Sequence, residues 1–196
     1  MWKPIVFAVC LIPFAIAIGD AFNITGSLSA NPVEDLMDRF GNWGLRFIMI
    51  ALAVTPLRKL TGRAWLLRFR RMLGLFAFFY ILMHFLTWLI LDHGAFWSEV
   101  ALWSDILEDI AERPFITLGF TAFVMLTAMA VTSTSNIRRR MGRRWDKLHY
   151  SVYVVGILGV WHYWWQVKSD ITEPLIYAAI LAVLLGFRLV TNRRGH

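Results

Sequence analysis

Long runs of apolar side chains, without the polar alternation of a water-soluble core, set the strongest limit on what this chain can fold into. PIVFAVCLIPFAIAIG near the start, FITLGFTAFVMLTAMAV in the middle and PLIYAAILAVLLGF near the end each approach the roughly 20 residues that cross a hydrocarbon core. In lipid, every backbone N–H and C=O must be satisfied within the segment itself, so such runs read as helices. The composition agrees: 58% of the 196 residues are hydrophobic and 17% are charged, whereas ordinary soluble domains are about a quarter charged.

A net charge of +7 and a pI near 10.1 raise nucleic acid as a partner, and the placement of the charges argues against it. Basic residues cluster between apolar runs: Arg58, Lys59, Arg63, Arg68, Arg70 and Arg71, then Arg138, Arg139, Arg140, Arg143, Arg144 and Lys147. The alternate loops are acidic, with Glu34, Asp35 and Asp38, then Asp92, Glu99, Asp105, Glu108, Asp109 and Glu112, then Asp170 and Glu173. This is the positive-inside pattern of a multi-pass membrane protein. It predicts one all-α domain over 1–196, a six-helix transmembrane bundle with helices at 4–22, 43–60, 72–92, 114–133, 148–166 and 174–191. Both termini are expected on the cytoplasmic side of the membrane.

The opening run also has features of a cleavable signal peptide, but Asp20 and Phe22 stand where small cleavage-site residues would be needed, so a retained helix is expected. Cys10 lies inside that run; as the single cysteine it makes no intramolecular disulfide and reads as a small hydrophobe. Between the third and fourth helices, Phe96, Trp97, Val100, Trp103, Ile106, Leu107 and Ile110 recur at helical spacing. They predict an amphipathic helix on the outer membrane surface, anchored by its tryptophans. No internal repeat stands out. No G-x-G-x-x-G occurs and no soluble domain is expected after the sixth helix, so a flavin or nucleotide domain is not expected on this chain.

Ionisable side chains in lipid are costly and usually functional, which turns attention to the histidines. His93 and His196 sit at a helix edge and at the terminus and read as solvated. His84 lies about 13 residues beyond Arg71, roughly 20 Å along a helix at 1.5 Å per residue, and therefore in the outer half of the membrane. His162, on the fifth helix, reaches a similar depth, while His149 lies near the inner surface. Haem iron takes two axial imidazoles, and a helical core can supply them from facing helices. The third and fifth helices are the expected suppliers. His149 and His162 lie about 140° apart on an ideal helix, so a shared face does not follow from the spacing. A guanidinium near the outer end of the second helix, Arg46, can bind a haem propionate or snorkel to lipid headgroups.

At these residues the chain resembles the ferric reductase-like transmembrane superfamily, and more closely the haem-binding membrane subunits of bacterial periplasmic methionine sulfoxide reductase systems. RRMLGLFAFFYILMH, ERPFITLGF, the TSTS and RRWDKLHY segment, and His162 with the aromatic residues after it carry the resemblance. It implies that His84 and His162 hold an outer haem b and that His149 is the inner haem's ligand on the fifth helix. The partner of His149 should fall about 14 residues before His84, where this chain has Arg70, so one haem or two are both compatible with it. Arg70, Arg71 or Arg144 can instead hold an inner haem propionate, a quinone or the phosphate of FMN, or simply mark the cytoplasmic side.

The implied function is a cytochrome b subunit, an electron-transfer partner rather than the catalytic enzyme, passing electrons across the inner membrane to a periplasmic molybdopterin-dependent protein-methionine-sulfoxide reductase. The donor would be a cytosolic flavin reductase or membrane quinol. Rival readings are a quinone-linked or ferric reductase-type carrier, a small proton-coupled transporter and a scaffold subunit.

Overall fold

A computed structural model of the chain describes residues 2–92, 101–167 and 169–193. Among the described residues the regular secondary structure is entirely helical, in order α1 (Trp2–Ala21), α2 (Pro32–Thr61), α3 (Leu67–Thr87), α4 (Ala101–Glu112), α5 (Pro114–Val131), α6 (Ser135–Met141), α7 (Arg143–Tyr150), α8 (Val152–Gln166) and α9 (Thr172–Arg193). A 3-10 turn, Ala64–Leu66, leads into α3, and a π-type turn, Trp88–Asp92, prolongs it. Five of these segments are long and apolar enough to cross a membrane: Trp2–Ala21, Pro32–Thr61, Ala64–Asp92, Pro114–Val131 and Thr172–Thr191.

The helix expected over 148–166 is divided at Ser151 into α7 and the 15-residue α8. The second helix starts at Pro32, well ahead of the expected 43, because strong start signals precede the apolar stretch. Asn31 caps it by accepting from the Glu34 N–H, Pro32 occupies the first turn, and Glu34 and Asp35 place negative charge at the positive end of the dipole. At the other end Gly62, with φ of 69°, takes the left-handed conformation and its N–H closes on the Arg58 carbonyl. Of the surface helix expected between the third and fourth spans, residues 101–112 form α4, with Ile106 buried and Leu107 exposed. Phe96, Trp97, Val100 and the side chain of Trp103 lie outside the described residues, as do His93 and His196.

The core is four helices. α2 pairs with α3 and α5 pairs with α8; the pairs meet through α3 with α5 and α2 with α8, while α1 lies against α2 and α3, and α9 against α2 and α8. Leu45, Ile48, Leu52, Leu73, Phe76, Ala122, Leu126 and Val155 are buried at the centre. The outer faces are apolar too, with Ile5, Phe7, Val9, Val124, Val183 and Leu189 exposed, as expected where lipid rather than water is the solvent.

Tyr80 joins α1 to this core. Pro13 interrupts α1, and a proline ring crowds the preceding turn and opens the hydrogen-bond ladder. The fully buried Tyr80 hydroxyl enters the opening, accepting from the Phe14 N–H at 3.0 Å and donating to the Cys10 carbonyl at 2.8 Å. Arg39 ties the end of α1 to the start of α2 through Asp20 at 2.6 Å and Asp35 at 2.7 Å. That end of the bundle is acidic; the end bearing Arg58, Arg70 and the α6–α7 arginines is basic.

Candidate functional site

His84 near the end of α3 and His162 near the end of α8 meet inside the four-helix core at the acidic end. Their ring centres are 6.1 Å apart and their planes are nearly perpendicular, at 84°. Each ring is fixed by the helix paired with its own. His84 Nδ1 is 2.8 Å from the Met37 carbonyl on α2, and His162 Nδ1 is 2.6 Å from the Phe115 carbonyl on α5. A carbonyl can only accept, so each Nδ1 carries the proton and donates it, leaving Nε2 with its lone pair.

Close approach to these carbonyls depends on two glycines. A helical side chain covers the turn before its own Cα, so a residue four positions on normally shields the carbonyl. Here the residues one turn after Met37 and Phe115 are Gly41 and Gly119. A methyl group at Gly41 would stand 3.0 Å from His84 Nδ1, and one at Gly119 would stand 2.8 Å from His162 Nδ1. The clasp therefore occurs twice, with the same 47-residue separation between histidine and carbonyl. A repeated device is present where the sequence showed no repeat.

The separation of the two rings would let both imidazoles hold one metal ion between them. Two imidazole–metal bonds of about 2.0–2.1 Å, together with the half-width of each ring, span about 6 Å between ring centres, matching the observed 6.1 Å. Among the described residues no three His, Cys, Asp or Glu side chains gather as a metal cage; the pair offers two imidazoles, the donors that haem irons commonly take. Phe85, Phe120 and Phe123 pack in a group on the neighbouring faces of α3 and α5, giving the apolar, aromatic surroundings that a porphyrin takes.

The other candidate residues lie away from this pair. His149 is on α7, and its ring stacks on Trp145 at 3.7 Å with Nδ1 3.2 Å from the Trp145 carbonyl of its own helix. The break at Ser151 separates α7 from α8, so an uninterrupted helical wheel does not relate His149 to His162. Arg46 faces α9: its Nε donates to the Tyr177 hydroxyl at 2.9 Å, and its guanidinium lies over Trp43. Arg70, Arg71 and Arg144 are exposed at the basic end, with Arg70 opposing the positive charge of His149. Sequence reasoning missed Gly41, Gly119, Tyr80 and Arg188. Glycine within an apolar helix was the available signal for the first two, and an arginine inside the last apolar run for the fourth.

Residues 40–160 match the model of the family described as ferric reductase like transmembrane component. A protein of Xanthomonas oryzae pv. oryzae named protein-methionine-sulfoxide reductase heme-binding subunit MsrQ is 47% identical over 190 residues, covering 95% of this chain and 84% of that protein. The protein of the same name from Bordetella pertussis is 47% identical over 197 residues, covering 98% and 92%. Its counterpart in Xanthomonas campestris pv. campestris is 52% identical over 163 residues, covering 83% and 72%. No solved structure matches the chain.

Proposed function

This chain belongs to the ferric reductase-like transmembrane family, among relatives named MsrQ, and from that membership we propose that it is the haem b-binding, electron-carrying membrane subunit of a protein-methionine-sulfoxide reductase. The observation that carries the reading is the His84–His162 pair, two imidazoles at the separation of axial ligands and each anchored across a helix pair.

In this reading His84 and His162 present Nε2 to the haem iron from α3 and α8. The Met37 and Phe115 carbonyls hold both rings in the one tautomer that leaves those nitrogens unprotonated, and a carbonyl accepting from the far nitrogen of a ligating imidazole raises its basicity. Bound there, the haem supplies one-electron redox chemistry, while the protein supplies ligands, orientation and a dry sheath. Arg46 commits only Nε to Tyr177, and its terminal nitrogens serve a haem propionate.

The single domain spans the inner membrane six times, α8 completing the set with α7 as its basic-end extension, and both termini lie on the basic, cytoplasmic side. Electrons enter at that side from a cytosolic flavin reductase or membrane quinol and leave at the acidic side to a periplasmic molybdopterin catalytic subunit. One haem or two fit this reading; a second haem, where present, would take His149 as a ligand, and Arg70, Arg71 and Arg144 stand where the phosphate of FMN or a quinone headgroup would arrive.

The test is the reduced-minus-oxidised absorption spectrum and haem content of the purified protein. Sharp b-type bands that vanish in His84→Ala and in His162→Ala support the assignment. A His84→Ala variant with a full haem complement and an unchanged spectrum sinks it.

A further inference from the structure

Among the described residues three buried side-chain polar atoms have no hydrogen-bond partner: Thr55 Oγ1, Arg58 Nε and Arg188 Nε. All three belong to the basic end of the bundle, the first two on α2 and the third on α9. Neither the paired histidines nor any other feature of the proposed electron path at the acidic end uses them.

Arg188 is partly accounted for by the backbone. Pro56 has no N–H, so the Leu52 carbonyl one turn earlier loses its helical donor. Arg188 Nη2 replaces that donor at 2.9 Å, and Nη1 donates to the Tyr153 hydroxyl on α8. Both of these partners are neutral, so the positive charge is left without a counter-charge, and Nε without an acceptor. Arg58 is in a poorer position still, since its side chain makes no hydrogen bond or ion pair. The ion pairs among the described residues, Arg39 with Asp20 and Asp35, and Arg113 with Asp109, all lie elsewhere.

The interior face of α2 leads to the same place. Gly41, Ile48 and Thr55 recur every seventh residue, which returns nearly to one face of a helix. Gly41 touches His84, so Thr55 lies on the same inward face about 20 Å further along at 1.5 Å per residue. Its buried hydroxyl therefore lies toward the basic end, less than one turn along α2 from the Leu52 carbonyl that Arg188 reaches. Partly buried cations without carboxylates are expensive in a membrane protein. A bound group with negatively charged oxygens would offset that cost and accept from the orphaned N–H groups at once.

We propose that the basic end of the bundle holds an oxyanion site in which Arg188 and Arg58, with the Thr55 hydroxyl, bind the carboxylate or phosphate group of a ligand seated between α2 and α9. The group can belong to a soluble phosphate compound, a lipid headgroup or a haem propionate. The site stands independently of iron ligation by His84 and His162.

The experiment uses the full chain, purified in detergent and in nanodiscs, as wild type, Arg58→Gln, Arg188→Gln and the exposed control Arg140→Gln. Haem per chain is counted, and thermal stability is followed with inorganic phosphate and in phosphatidylglycerol versus phosphatidylcholine nanodiscs. Both test variants are expected to weaken anion binding about tenfold or more, while Arg140→Gln behaves as wild type. Loss of the response to phosphate identifies a soluble source, loss of the phosphatidylglycerol response a headgroup, and a drop in haem per chain a propionate. Should Arg188→Gln fail to fold because the Leu52 carbonyl loses its donor, Arg58→Gln decides, having no side-chain hydrogen bond or ion pair to lose. Test variants that match wild type in all three measurements overturn the proposal, whatever happens to the haem bands of His84→Ala.

Discussion

The two ends of the bundle hold their histidines in opposite ways. At the acidic end each imidazole is fastened across a helix pair, to a carbonyl laid open by a glycine, and the two rings face one another at 6.1 Å. At the basic end His149 bonds within its own short helix, stacks on Trp145, and has arginines rather than a second histidine near it. The first arrangement fixes the position and tautomer of both rings through the protein's own carbonyls. The second is a single imidazole beside cations that lack counter-charges. Preorganisation is a property of the pair and of the helices behind it, and histidine content alone does not reveal it.

The largest effect expected from this contrast is at the ligands themselves. His84→Ala or His162→Ala should remove essentially all haem from the acidic-end site, whereas His149→Ala should leave that site's absorption bands at wild-type intensity. Reduced-minus-oxidised spectra of the three variants check both statements. Equal losses from all three would dissolve the distinction between the ends.

Next come the glycines. Adding a methyl group to a closely packed contact costs about 1–3 kcal/mol, or roughly tenfold and more in affinity. Gly119→Ala should therefore weaken haem retention or shift the reduction potential, and more than Gly41→Ala does, because the methyl would come to 2.8 Å rather than 3.0 Å from the imidazole. Gly74→Ala meets nothing within 4 Å and should be silent. Alanine favours helix over glycine, so a loss in the first two variants is not a loss of helix. A redox titration with EPR of the oxidised haem reads this out.

The smallest expected effect is at Tyr80→Phe. Removing the hydroxyl breaks its bonds to Phe14 and Cys10 at about 1 kcal/mol, since hydrogen bonds in membrane bundles are modest in net worth. A lowered thermal midpoint with unchanged haem bands is expected. A change in the bands would mean that the seating of α1 reaches the histidines.

Much of the architecture was legible because it rests on local chemistry. Unbroken apolar runs cannot dissolve in water, alternating loop charge orders the runs, and one histidine in each of two helices at matched depth is rare enough to notice. The start of α2 was also written in Asn31, Pro32 and Glu34, but hydropathy placed it late because those residues lie outside the apolar stretch. Arg46 was read as a cation near the outer end of its helix; because α2 starts at Pro32 it lies instead near the middle, and only the packed structure shows that it turns toward Tyr177 on α9.

By itself, then, the chain determined that it is helical, that it belongs in lipid, and which imidazoles are worth attention, since these follow from side-chain solubility and from periods of a few residues. Tertiary structure alone decided that Gly41 and Gly119 open two carbonyls to those imidazoles, that α7 breaks from α8, and that Arg58 and Arg188 are left with unpaired donors. The glycine and arginine contacts depend on residues far apart in sequence, up to 136 positions for Arg188 and Leu52. Such contacts exist only once the helices have chosen their neighbours and their rotation about their own axes.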